Sequence, residues 1–182
     1  RVVGEPLAYL TGHKEFYGLD LVVDARVLDP RPDTETLVEW ALEVLPHETS
    51  ARVIDLGTGS GAIALALKAA RPHLTVIALD YSTDALAVAQ ANAQRLQLDV
   101  QCIQGSWLDS VEGRFAAIVS NPPYIRADDR HLEALTHEPL QALASGHDGL
   151  DDIRRIIAQA PEHLEPGGWL LLEHGYDQAP AV

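Results

Sequence analysis

Asn121-Pro122-Pro123-Tyr124 closes the apolar run Phe115 to Val119, and its residue types come nearest to defining a chemistry. Proline has no N–H, so Pro122 and Pro123 each offer only an acceptor, at a φ held near one value. A residue before proline is pushed out of the helical region, which holds Asn121 and Pro122 extended. The product is a stiff row of acceptors, one amide side chain and two or three carbonyls, beside the aromatic wall of Tyr124. Such a cradle suits a planar group carrying N–H, an amide or an exocyclic amine, gripped through both of its hydrogens. The alternative is a rigid loop after a buried strand, since proline commonly does no more than punctuate structure.

A second constellation is Asp55-Leu56-Gly57-Thr58-Gly59-Ser60-Gly61. Glycines at a strand-to-helix turn allow tight turning and close backbone approach, and the helix N-terminus that follows offers free N–H groups. By itself such a turn suits any nucleotide, or only close packing. Asp80, at the end of the next apolar run, adds a carboxylate able to take both hydroxyls of a ribose. Its competing role as a helix cap is weakened by Ser82 and Thr83, which stand ready to cap. A dinucleotide fingerprint would read Gly-x-Gly-x-x-Gly with an acid about 20 residues on. Here the loop reads Gly-x-Gly-x-Gly, with an acid two residues before it.

The elements that must position these residues alternate from residue 51 onward as strand and helix, the sign of a parallel sheet covered on both faces. Strands are expected at Arg52–Leu56, Leu74–Leu79, Val100–Ile103, Phe115–Val119 and Trp169–Glu173, with helices from about Ser60 to Ala70, Thr83 to Leu96 and Leu150 to Leu164. The last helix carries a clean stripe of Leu150, Ile153, Ile156, Ile157, Ala160 and Leu164. Residues 125–148 read as polar and irregular, with a short helix near His131–Thr136. Before the sheet, Asp33 or Thr34 can cap a helix whose face is Leu37, Val38, Ala41, Leu42 and Leu45, ending at Pro46. Residues 1–32 read as a helical turn broken at Gly12, then a β-hairpin with its turn at Gly18-Leu19.

At 182 residues the chain is one domain's length with a full core, 47% of it hydrophobic. No apolar run approaches the roughly 20 residues needed to span a bilayer, so no membrane partner is expected. The formal net charge is −14, from 13 basic against 27 acidic residues. That speaks against a nucleic-acid partner, because holding a duplex takes basic residues against phosphates. The single cysteine, Cys102, forms no internal disulfide and fits a cytoplasmic location. The eight histidines lack the spacing of a metal site, and no metal is expected. With Arg1 first and no methionine, the chain reads as a fragment.

The glycine loop with its preceding acid resembles class I S-adenosylmethionine-dependent methyltransferases, a Rossmann-like three-layer α/β/α fold. With Asn121-Pro122-Pro123-Tyr124 the likeness narrows to enzymes that methylate planar nitrogen. Gly4-Glu5-Pro6-Leu7-Ala8-Tyr9-Leu10-Thr11-Gly12 followed by Phe16, Pro30-Arg31-Pro32-Asp33-Thr34-Glu35, and Leu170-Leu171-Leu172-Glu173-His174-Gly175 resemble the HemK-type release-factor glutamine methyltransferases. The resemblance implies S-adenosylmethionine as cofactor and S-adenosylhomocysteine as product. It sets Asp55, Gly57, Thr58, Gly59, Ser60, Gly61, Asp80, Trp107 and Asn121 around the cofactor, with Asp55 by its methionine part, Asp80 on the ribose and Trp107 beside adenine. Trp107 as a core residue stays open. Asn121, Pro122 and Tyr124 become the catalytic residues, and together with Pro123 they hold the substrate, the glutamine of the Gly-Gly-Gln tripeptide of class-1 release factors.

Against that family pattern, residues 1–32 are expected as a hairpin linker to a helical domain absent here, and 33–182 as a catalytic domain lacking its last two strands. Leu135-Thr136-His137-Glu138-Pro139 is a shortened form of the family's loop after the catalytic motif. A monomer is expected. Glutamine methylation of ribosomal protein L3, adenine-N6 methylation of nucleic acid, and a non-catalytic nucleotide-binding module are the alternatives.

Overall fold

The computed structural model describes residues 4–45 and 50–182. A short helix α1 (Leu7–Thr11) leads into strands β1 (His13–Phe16) and β2 (Leu19–Val22), followed by helix α2 (Glu35–Val44). Then come β3 (Arg52–Leu56), α3 (Ala62–Ala70), β4 (Thr75–Asp80), α4 (Thr83–Leu96), β5 (Val100–Gln104), β6 (Phe115–Ser120), α5 (Asp151–His163) and β7 (Leu164–Leu172). The last five strands form one parallel sheet in the order β5-β4-β3-β6-β7. Pro46, expected to end the helix that becomes α2, lies outside the described residues.

The middle strands are apolar almost throughout because both faces of the sheet are covered. Successive residues point to opposite faces, so Val53, Val76, Ala117 and Val119 join one core with α2, α3 and α4. Ile54, Leu56, Ile77, Leu79 and Ile118 join the other with Ile156 and Ala160 of α5. Asp55 is the exception, a fully buried acid in the central strand. The strand order brings β3 beside both β4 and β6, so the glycine loop, Asp80 and Asn121 all lie beyond the same carboxyl edge. Ligands of such sheets bind at that edge, where the strand order reverses.

Most element ends fall within one residue of the sequence expectation, and three differences stand out. The hairpin turn is Tyr17-Gly18, since Phe16 pairs with Leu19; both turn residues have positive φ, 50° and 74°, as the tightest hairpins require. Helix α3 starts at Ala62 because Gly61 N–H first closes a turn on the Thr58 carbonyl at 2.9 Å. Strand β7 starts earlier than Trp169: Phe115 pairs with Leu164 and Ala117 with Trp169, a register shift that absorbs Glu165 to Gly168. Near residue 131 the chain forms a 3₁₀ turn, Arg130–Ala134.

The hairpin packs on the sheet domain. Phe16, Leu21, Val23 and Val27 are buried in the same core as Val53 and Ala64. Asn92, fully buried in α4, accepts from Val22 N–H at 2.8 Å and donates to the carbonyls of Val22 at 2.9 Å and Ser60 at 3.0 Å. One side chain thus ties β2 to the glycine loop.

Candidate active site

The glycine loop is built around Asp55. Its Oδ2 accepts from the Thr58 hydroxyl at 2.6 Å and from Ala64 N–H at 3.2 Å, while its buried Oδ1 has no partner. Burial pushes this carboxyl up to about 7, against the pull of those two donors, with neighbouring Asp80 adding a smaller push. Gly61 stands immediately before α3 at φ 85°, a left-handed conformation that strains any side chain, and a Cβ there would also crowd Leu65 Cδ1 at 3.0 Å and Ala89 Cβ at 3.3 Å. Gly57, at φ 70°, leaves room for Trp107, whose ring would lie 3.5 Å from a Cβ there.

Asp80 ends β4 and braces the loop from the other side. Its Oδ2 accepts from Gly59 N–H and its Oδ1 from Ser82 N–H, both at 2.9 Å. Capping of α4 falls to Ser82, which accepts from Ala85 N–H. Each carboxylate oxygen of Asp80 therefore keeps acceptor capacity for a further donor. Burial raises its pKa, partly offset by the same N–H groups.

Gly57, Gly59, Asp80, Trp107, Asn121 and Pro123 line one cleft of about 460 Å³, within the range of small-molecule sites. Asp55, Thr58, Ser60 and Gly61 do not line it; the first three are buried behind the loop. Trp107 is held with its indole N–H donating to Asp152 at 2.9 Å, and Asp152 is itself fixed by Ser145. It thus both lines the cleft and packs against the second core. Tyr81, exposed beside Asp80, and Arg26 also line the cleft. Tyr81 was legible only as the residue following Asp80; nothing in sequence marks Arg26 or Asp152.

Pro122 and Tyr124 face a separate, smaller slot of about 100 Å³, together with Leu28, Arg31 and Leu135. Asn121 lines both spaces. Its Nδ2 donates to Thr34 Oγ1 at 3.1 Å, and the Tyr124 hydroxyl donates to Glu173 Oε1 at 3.1 Å. Burial, and secondarily Glu173, pushes the Tyr124 phenol up to about 12, so it remains a donor at neutral pH. Behind the slot, buried Glu138 accepts from Arg31 at 2.6 Å and from Asp29 N–H at 3.2 Å, fastening the loop after the motif to the segment before α2. A larger hollow of about 770 Å³ lies between α1, β1 and residues 134–138; it touches neither Asn121 nor the glycine loop, but Arg31 borders both it and the slot.

Among the described residues no cluster of His, Cys, Asp and Glu could hold a metal ion. No described helix is long and apolar enough to cross a membrane.

Residues 33–148 match the family model of the methyltransferase small domain. The release factor glutamine methyltransferase of Yersinia pestis is 53% identical over 185 residues, covering 100% of this chain and 67% of that protein. That of Pseudomonas aeruginosa is 56% identical over 183 residues, covering 98% of this chain and 66% of that protein. The chain thus spans about two thirds of these relatives' length. Among solved structures, a ribosomal protein L11 methylase from Lactobacillus delbrueckii subsp. bulgaricus superposes with a TM-score of 0.62 at 25% identity, covering 87% of this chain and 69% of that one. With the class I methyltransferase fold in its sheet and identity above 50% along its whole length, the chain belongs to the release factor glutamine methyltransferase family.

Proposed function

We propose that this chain methylates the side-chain amide nitrogen of the glutamine in the Gly-Gly-Gln tripeptide of class-1 peptide release factors, using S-adenosylmethionine. The cofactor would supply a methyl group on a positively charged sulfur. The nitrogen takes the methyl as the carbon–sulfur bond breaks, S-adenosylhomocysteine leaves neutral at sulfur, and the methylated nitrogen then gives up one proton to solvent. The observation that carries the reading is the position of Asn121 in the wall common to a cleft of about 460 Å³ and a slot of about 100 Å³. The cleft has the size for a nucleoside-bearing cofactor, the slot only for a side chain.

The residues present fit such a cofactor. Asp80 keeps acceptor capacity at the cleft for ribose hydroxyls. Trp107 offers a fixed ring for adenine. Gly57 and Gly59 let the backbone approach, while Asp55, Thr58, Ser60 and Gly61 hold the loop's shape.

An amide nitrogen is a poor nucleophile because its lone pair is delocalised into the carbonyl. Asn121 Oδ1 and the Pro122 carbonyl accept its two N–H bonds, and Pro123 keeps that backbone rigid. Orientation of this kind removes much of the entropic part of a barrier. As positive charge grows on nitrogen, the same acceptors stabilise it, the electrostatic inverse of an oxyanion hole. Tyr124 packs on the amide plane. Arg31, bordering slot and hollow, marks where a polypeptide loop would approach; two glycines beside the glutamine keep that loop narrow. The acidic surface balance favours a protein over a nucleic-acid substrate.

Asn121→Ala tests the assignment. Turnover should fall by about 100-fold or more, the scale of losing one preorganised transition-state contact, and by far more than S-adenosylhomocysteine affinity in calorimetry, which weakens only modestly because Asn121 also lines the cleft. Equal losses in both would remove Asn121 from the acceptor role.

A further inference from the structure

A side-chain amide has an oxygen and a nitrogen of similar size, and only its hydrogen bonds decide which way it sits. Asn121 serves as an acceptor only with its oxygen toward the reacting nitrogen, and the partners behind it make that decision. Glu173 follows β7 directly, and its N–H donates to the Ser120 carbonyl at 3.0 Å, which fixes it beside the end of β6. Its Oε2 accepts from the Thr34 hydroxyl at 2.7 Å. A carboxylate donates nothing, so the single Thr34 proton is committed to Glu173. The Thr34 oxygen is left to accept, and its donor is Asn121 Nδ2 at 3.1 Å. Thr34 is 4% exposed, so this order has little competition from solvent. The other oxygen of Glu173 takes the Tyr124 hydroxyl.

We infer that Thr34 and Glu173 are positioning residues: a directional relay from carboxylate through hydroxyl to amide locks Asn121 with Oδ1 facing the substrate, and the same carboxylate anchors the aromatic wall. This rests on the reading of Asn121 as the acceptor of the glutamine N–H groups. The relay joins segments 139 and 87 residues apart in sequence, so its polarity is a property of the fold.

Polarity is what the experiment reverses. Glu173→Gln keeps the shape but adds a donor, so the Thr34 proton is free to turn toward Asn121 and flip its amide. Thr34→Val removes the hydroxyl at nearly constant volume, and Thr34→Ser restores it. The side-chain N–H₂ signals of Asn121, identified by their loss in Asn121→Asp, are followed by ¹⁵N NMR, alongside methyl transfer to a class-1 release factor. Thr34→Val and Glu173→Gln should move the Asn121 signals and lower kcat by about 10- to 100-fold, with S-adenosylhomocysteine affinity within about twofold. Thr34→Ser should restore both the signals and kcat to near wild type. The relay is overturned if Thr34→Val leaves the Asn121 signals or kcat unmoved, or if Ser is as damaging as Val. A wild-type protein that transfers no methyl group would instead sink the functional reading, and the amide signals would still decide the relay.

Discussion

Asp55→Asn separates the buried carboxyl of the glycine loop from every other titrating group. The unfolded carboxyl ionises near 3.8, whereas the folded one holds its proton until about 7 because burial disfavours the charge. Between those values the folded state binds the extra proton, so stability falls as pH rises. The contribution is fully present below the unfolded pKa and is lost as pH rises through the folded one. Two pH units of that window lie between 5 and 7, and at about 1.4 kcal/mol each wild type loses on the order of 3 kcal/mol there from this group. Asparagine does not titrate. It keeps an oxygen for Thr58 and Ala64, and it replaces the unpartnered Oδ1 with an amide nitrogen at a buried cost of about 1–3 kcal/mol that does not vary with pH. Urea unfolding of both proteins without cofactor at pH 5, 6, 7 and 8 gives the difference directly. Wild type should lose ground to the variant by on the order of 3 kcal/mol from pH 5 to 8. Parallel stability curves, or wild type gaining on the variant as pH rises, would refute burial as the cause.

Three other substitutions probe the cleft and its support. Trp107→Leu removes both the ring and the donor to Asp152, so S-adenosylhomocysteine should bind more weakly by about 1–3 kcal/mol in calorimetry, the scale of one base on one aromatic. Asp152→Asn, which still accepts from the indole, should cost less. Glu138→Ala leaves Asp29 N–H without its acceptor and Arg31 with only its longer contact to Asp29 among the described residues, lowering denaturant stability by about 1–3 kcal/mol.

The sheet was legible because its strands are short apolar runs separated by helical spacing, and Arg52–Leu56 and Phe115–Val119 say so locally. The elements of the cleft were legible for a related reason. Gly57, Gly59, Asp80, Asn121 and Pro123, which line it, each sit at or just beyond a strand end, so a positional signal stands beside them. Asp55, Thr58, Ser60 and Gly61 do not line it, and Pro122 and Tyr124 face the slot instead. The start of β7 was not, since Glu165-Pro166-Gly167-Gly168 reads as a turn and only pairing with β6 makes it strand. Nor were the partners that orient the site. Asp152 lies 45 residues from Trp107, Glu138 lies 107 from Arg31, and Glu173 lies 139 from Thr34. Thr34 looks like a helix cap in sequence, yet its hydroxyl makes no cap and is spent on the relay. Contacts made only by the closing of the sheet leave no periodic trace along the chain.

Transfer of labelled methyl from S-adenosylmethionine is the most direct test of the central claim. The protein is given a class-1 release factor, ribosomal protein L3 and duplex DNA in parallel, and the label is located by peptide mass spectrometry. Label should appear on the glutamine of the Gly-Gly-Gln tripeptide and disappear with Asn121→Ala. Label on L3 or DNA alone, or on the release factor at any other residue, would contradict the account.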